Sequence, residues 1–237
     1  MKIQLGRVLF AVTVIVLGIL DLVYRDTLMW KVLPKSLPAS TTTALAIITG
    51  VLLVVAGVGL LTPQFQVVAS RVLLVFLLLW DVLIGIPPVI ESPGTEVRWL
   101  VLGMMTIVLM AGWLLAGKGQ VAAARTIVGL ALLPVGLSHF SYQQATLDLV
   151  PLWMPARLFV VYVVGAAHAA AGVGLLFSVV PRLAARMEAG MLLAFAVLVW
   201  IPRVISSPAT HFNWTELLGT VMIGAAMWVV GDSEVVK

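Results

Sequence analysis

The chain contains no cysteine, and this absence excludes several kinds of chemistry. A thiol–disulfide relay, a thiolate nucleophile and an iron–sulfur cluster all require cysteine ligands or thiols. Any redox function of this protein would therefore depend on a bound cofactor, a quinone or a partner protein.

Charged residues are also scarce. They make up 10% of the 237 residues, whereas hydrophobic residues make up 62% and the mean hydropathy is +1.16. A soluble domain carries about a quarter charged residues because its surface faces water. The formal net charge of +4 comes from basic residues dispersed between apolar runs. Such dispersed charge does not indicate nucleic-acid binding.

Long apolar runs are present along the whole chain. Runs of about 18 residues or more are typical of membrane spans, and only helices or closed barrels satisfy their backbone polar groups in lipid. We read the first run as a retained span and not a signal peptide, because no small-residue cleavage site follows it. The sequence predicts an all-α integral membrane protein, multi-pass in the cell membrane, with helices at residues 6–24, 42–61, 68–90, 98–117, 122–140, 157–177, 185–205 and 214–231.

A unit of four predicted helices occurs twice. The hexapeptide Ala-Gly-Val-Gly-Leu-Leu at 56–61 recurs at 171–176, an offset of 115 (171 − 56), and Val-Ile-x-Ser-Pro at 89–93 recurs at 204–208. Nearer the start, Arg7 and Tyr24 match Arg125 and Tyr142 at an offset of 118 (125 − 7). Self-similarity of this kind indicates a duplicated structural unit. We expect repeats at 1–119 and 120–237, and four spans per repeat give two parallel tandem four-helix bundles.

The distribution of basic residues predicts the orientation. Eight of the 14 Lys and Arg residues fall on the side that holds the N-terminus, and six fall on the other side. Because basic residues are enriched in cytoplasmic loops, both termini are expected in the cytoplasm.

Small residues cluster in the second helix of each repeat, around Gly50 and Gly57 and around Gly165 and Gly172. Small side chains let helix backbones approach closely in lipid, where hydrophobicity does not drive helices together. Close helix packing is the expected role, with close approach to a flat ligand as the alternative.

Ionisable residues inside membrane spans are costly, and each is a functional candidate. Asp81 is expected to be protonated or paired, and is the candidate for proton or ion coupling. His168 is expected either to serve a ligand or to bond a backbone carbonyl or hydroxyl. Arg203 lies near a helix end, from which it can extend its head to water.

Near the outer face, the second repeat carries His139 and Tyr142, where the first repeat has Asp21 and Tyr24. These positions predict either a polar pocket or an ordinary wet interface. His168 is placed about 16 Å below the start of its helix, whereas His139 is placed near the surface. This difference in depth argues against a haem shared by the two histidines. No close spacing of His, Asp and Glu indicates a metal site.

The second repeat contains Gly-x-x-His-Phe at 136–140, Leu-Val-Pro-x-Trp-x-Pro at 149–155 and Gly-x-Gly-Leu-Leu at 172–176. This series resembles the DoxX-like family of four-helix membrane proteins over residues 125–208. The resemblance implies a fused double unit, a four-helix fold for each unit and a link to membrane oxidoreductases. His139 is the polar position that matches the family pattern.

Three classes of function follow. The first is a membrane subunit without covalent cofactor that binds a quinone-like or other lipophilic molecule and supports an oxidoreductase partner. In that class His139, Tyr142, His168 and Arg203 would hydrogen-bond the ligand's oxygens. The second is a proton- or cation-coupled transporter that uses Asp81, and the third is a non-catalytic scaffold. The sequence does not decide whether the protein is an enzyme.

Overall fold

The computed structural model describes residues 5–27, 37–117 and 120–234. This part of the chain is helical, without a β-strand. Its helices are α1 (Leu5–Tyr24), α2 (Ala39–Leu61), α3 (Gln66–Trp80), α4 (Ile86–Glu91), α5 (Glu96–Ala116), α6 (Val121–Ser141), α7 (Gln143–Leu147), α8 (Arg157–Leu176), α9 (Pro181–Phe195), α10 (Ile201–Ser206) and α11 (His211–Ser233).

Within the described ranges, eight helical segments are long and apolar enough to cross a membrane. Six are single helices, and the third and seventh run continuously over Gln66–Glu91 and Pro181–Ser206. Large apolar side chains cover the outside of the bundle, as at Val55 and Ile90, which are 66% and 73% exposed. A surface of this kind requires lipid around it. The chain is therefore a multi-pass membrane protein in contact with the bilayer.

The predicted spans are confirmed, with boundaries that agree to within four residues. The largest difference is at the seventh span, which was predicted to begin at residue 185 and begins at Pro181. Proline fits the first turn of a helix, because the backbone N–H groups there have no acceptor within the helix and a missing N–H breaks no hydrogen bond. The short helix α7 was not predicted. The expected repeat boundary at 119/120 touches residues 118–119, which lie outside the described ranges.

The third and seventh spans each contain a π-helical turn, at Asp81–Gly85 and Ala196–Trp200. Each turn precedes a proline, Pro87 or Pro202, which has no N–H to donate to the helix ladder. A local π-helical adjustment is one way in which spans accommodate such a proline. The two turns lie 115 residues apart (196 − 81), which is the offset of the sequence repeat. The π-helical turn thus recurs at the same offset as the sequence repeat. The parallel arrangement of two bundles stays a prediction.

The spans pack in a crossed pattern. α1 packs on α2, and α6 packs on α8, within their own halves. The last span of each half packs on the first span of the other half, α5 on α6 and α11 on α1, and α5 also contacts α11. Fully buried Met105, Ile107 and Met227 on these last spans form part of the common core.

Glycines lie where the backbones of neighbouring helices approach closely. A Cβ atom on Gly18 would lie 2.6 Å from the Gly50 carbonyl oxygen, and one on Gly136 would lie 2.8 Å from the Gly165 carbonyl oxygen. Gly129 and Gly172 approach each other in the same way. The expected packing role of the small residues is therefore confirmed.

Candidate functional site

His139 and His168 lie side by side, with ring centroids 5.0 Å apart. The prediction that depth separates them was wrong. Contacts of Gly136 with Gly165 and of Gly129 with Gly172 show that α6 and α8 are antiparallel. They also place His139 level with residue 162, so that the His168 backbone is six residues, or about 9 Å, deeper. Because side chains lean toward the N-terminus of their own helix, the two imidazoles lean toward each other and close this gap.

His168 is bonded to Glu188, a residue that the sequence did not single out. Nδ1 of His168 lies 2.6 Å from Oε1 of Glu188, and the two side chains are 2% and 1% exposed. Of the two alternatives expected for His168, a bond from Nδ1 to a carbonyl or hydroxyl is not the one found, and a ligand role stays a prediction. The second carboxylate oxygen, Oε2, is buried without a hydrogen-bond partner among the described residues. A buried polar atom without a partner is unusual in proteins.

A comparison of the two halves could have identified this pair. At the offset of 115, His168 corresponds to Leu53 (168 − 115) and Glu188 corresponds to Leu73 (188 − 115). Both leucines are 1% exposed. The two halves therefore differ at both positions, which are polar in the second half and apolar in the first.

The tautomer of His139 follows from its hydrogen bond. Its Nδ1 lies 3.0 Å from the carbonyl oxygen of Val135. A carbonyl can only accept, so Nδ1 carries the proton, and in the neutral ring Nε2 is an acceptor. Ser138 bonds the same carbonyl through its hydroxyl, at 2.7 Å. The α6 backbone thus fixes the ring with one nitrogen available to a ligand.

His139 lines an apolar cavity of about 120 Å³ between α6, α8 and the second π-helical turn. For comparison, an engineered cavity of about 150 Å³ binds benzene. Of the described residues that line it, His139 alone is ionisable. The lining comprises His139, Thr146, Leu149, Val150, Pro151, Met154, Val160, Val161, Val164, Phe195, Leu198, Val199 and Trp200.

Residues 142–156, which contain α7, form one side of the cavity. We call them the roof segment. Two arginines hold this segment through its backbone. Arg157 donates to the carbonyls of Leu147 and Val150, and Arg203 donates through Nη2 to the carbonyl of Asp148 at 2.7 Å. The Arg203 guanidinium also lies 5.6 Å from the ring centre of Trp200, which lines the cavity.

The structure therefore brings two of the four predicted ligand residues together and places the other two at the margin. His139 and His168 form the polar centre. Arg203 donates a hydrogen bond to the roof segment but does not line the cavity. Tyr142 is 40% exposed at the end of α6, and its backbone N–H donates to Ser138.

The first half carries different groups at the corresponding place. Asp21 is 1% exposed and accepts a hydrogen bond from the Thr49 hydroxyl at 3.3 Å. The Tyr24 ring lies 4.7 Å from the ring of His211. The segment corresponding to the roof includes residues 28–36, which lie outside the described ranges.

Asp81 is buried at the first residue of the first π-helical turn, and the Thr106 hydroxyl donates to its carboxylate at 3.3 Å. It belongs to the first half, apart from the two histidines. Asp81 is thus hydrogen-bonded to a hydroxyl, and a protonated or paired state of its carboxyl group stays a prediction.

Among the residues that the structure describes, no group of three or more His, Asp or Glu side chains could hold a metal ion. The fold and site define a polytopic α-helical membrane protein with a small apolar cavity beside the half-buried His139 and the buried pair His168–Glu188. No protein-family model matches the chain, and no curated protein or solved structure shows significant similarity to it.

Proposed function

We propose that this protein binds a lipophilic, quinone-like molecule in the cavity beside His139 and supports an oxidoreductase partner in the membrane. The observation that carries the proposal is the position of His139, the one ionisable side chain among the described residues that line this mostly apolar cavity. Ligand sites in proteins are typically apolar, with a few polar groups that fix orientation.

The size and position of the cavity favour a single ring with an apolar tail. Its volume of about 120 Å³ is close to that of the engineered cavity of about 150 Å³ that holds benzene. Leu198 lines the cavity and is 44% exposed on the lipid-facing surface. A tail attached to the ring therefore has a short route into the bilayer.

His139 is the group that would recognise the ring's oxygen. Its free Nε2 can accept a hydrogen bond from a hydroxyl or, when protonated, donate one to a carbonyl. The ligand class and the partner class also follow from the DoxX-like resemblance of residues 125–208.

A quinone titration of the purified protein tests the proposal. Trp200 lines the cavity, so decylubiquinone should quench the tryptophan fluorescence saturably, and Trp200→Phe should remove much of this quenching. Val164→Phe fills the cavity and should weaken binding about tenfold, the equivalent of 1.4 kcal/mol, within the cost of overpacking. Val163→Phe adds the same bulk to the neighbouring residue, which is 47% exposed, and should leave binding unchanged. Non-saturable quenching, or equal titrations of the two phenylalanine variants, would contradict the proposal.

Coupled transport is the second candidate, and the burial of Asp81 inside a span favours it. The two functions differ in proton flux. The quinone-binding proposal predicts that proteoliposomes containing the protein equilibrate pH, followed with internal pyranine, no faster than empty vesicles. Faster equilibration that Asp81→Asn abolishes would support transport instead. Thr106→Val, which removes the hydroxyl bonded to Asp81, is a control that keeps the carboxyl group.

A further inference from the structure

Four arginines meet at the end of the bundle where α1 begins and α11 ends, called here the terminal face. They are Arg7, Arg125, Arg182 and Arg186, on α1, α6 and α9. In each of the four, Nε is buried and has no hydrogen-bond partner among the described residues. None of these four side chains lines the cavity beside His139.

The last turns of α11 connect these helices. Asp232 accepts hydrogen bonds from the backbone N–H of Gly6 at 3.3 Å and from Arg186 at 3.0 Å. Glu234 accepts from Arg125 at 3.3 Å. The carbonyl oxygen of Arg182 lies 3.6 Å from the position of a Cβ on Gly231. The ends of α1, α6 and α9 are thus gathered around one helix end.

Arg7 is the most deeply placed of the described arginines on this face. It is 9% exposed, and its Nη1 donates to the side chain of Gln66 at the start of α3. Gln66 is uncharged, so this bond leaves the charge of Arg7 uncompensated. Arg182 forms no side-chain hydrogen bond within the described part of the chain.

The charges of this group do not cancel. Among the described residues of this face, these four guanidinium groups are accompanied by two carboxylates, Asp232 and Glu234, which leaves a charge of +2 (4 − 2). Glu188 does not change this count, because it is bonded to His168. Arg7 is 9% exposed. A buried charge without an opposite charge beside it is costly, and a bound anion would lower that cost.

We propose that the terminal face binds a phosphate group, as carried by the headgroup of an anionic phospholipid. Guanidinium groups recognise phosphate oxygens through paired N–H donors. The Arg186 side chain is 37% exposed, so its guanidinium group can present such donors at this face. Basic pockets between spans at a membrane surface are typical sites for anionic headgroups. This site is independent of the quinone-like ligand.

The test measures binding of phosphatidylglycerol, phosphatidylcholine and inorganic phosphate to the purified full-length protein by native mass spectrometry. Arg182→Gln is the test variant, because it breaks no side-chain hydrogen bond within the described ranges. Arg71→Gln is the matched control, because Arg71 is exposed on the same face and corresponds to Arg186 at the offset of 115 (186 − 115).

We expect phosphatidylglycerol to bind in preference to phosphatidylcholine. Arg182→Gln should weaken this binding about fivefold, the factor that one basic residue contributes near an anionic lipid surface, and Arg71→Gln should not. Binding of inorganic phosphate with the same dependence on Arg182 would identify free phosphate as the source of the ligand. Equal binding of the two lipids without phosphate binding, or equal loss in the two variants, would overturn the proposal.

Discussion

The double variant His168→Leu/Glu188→Leu will unfold at close to the temperature of the parent protein, whereas each single replacement will be strongly destabilising. Removing one partner of this buried pair leaves the other polar group without its hydrogen bond, which costs about 1–3 kcal/mol, and more for a charged group. Replacing both partners by apolar residues of similar volume is often neutral or stabilising. The first half of the chain has Leu53 and Leu73 at the corresponding positions, both fully buried. The first half therefore already buries a leucine at each of the two corresponding positions.

Thermal unfolding of the parent, the two single variants and the double variant in the same detergent measures this coupling as a double-mutant cycle. A double variant that is as unstable as the sum of the two single variants would show that His168 and Glu188 do not act as a pair. The double variant also separates stability from function, since it should fold although it lacks the His168–Glu188 pair beside His139.

Replacing Gly136 by valine should disrupt the second half. A Cβ on Gly136 would lie 2.8 Å from the Gly165 carbonyl oxygen and 2.9 Å from the Ala169 nitrogen. Backbone atoms cannot move aside as a flexible side chain can, so α6 and α8 must separate. Overpacking of this kind costs about 1–3 kcal/mol or more. Because the same contact brings His139 to His168, the variant should also lose saturable quinone quenching.

Gly190→Ala is the control for this variant. Gly190 lies within α9, and a Cβ there would meet no atom within 4 Å. Alanine is favoured over glycine in a helix by about 1 kcal/mol, so this variant should be at least as stable as the parent. Unfolding temperatures that fall equally in both variants would show that helix packing at Gly136 is not the cause.

The spans and the duplication could be predicted because their signals are carried by many residues. An apolar run of membrane length tolerates errors at its ends, and an unchanged hexapeptide at 56–61 and 171–176 fixes the offset. The glycine contacts could be predicted for a similar reason, since a small side chain inside a span has few uses other than close packing.

The polar centre could be predicted only in part. Distance along the helix placed His139 and His168 at different depths, because that reasoning follows backbones and ignores the direction in which side chains lean. Glu188 was not singled out. It is the fourth residue of the span predicted at 185–205, where a charged side chain can reach the interface, whereas the span begins at Pro181. The role of Arg203 could not be predicted at all, because its partner is the backbone carbonyl of Asp148, and every residue has such a carbonyl.

Photolabelling with an azido-substituted quinone, mapped by mass spectrometry, is the most direct test of the central claim that the cavity beside His139 is the ligand site. The account predicts labels within residues 146–164 and 195–200, suppressed by excess decylubiquinone and by Val164→Phe but not by Val163→Phe. Labels spread over the lipid-facing surface, or labels that persist in Val164→Phe, would contradict it.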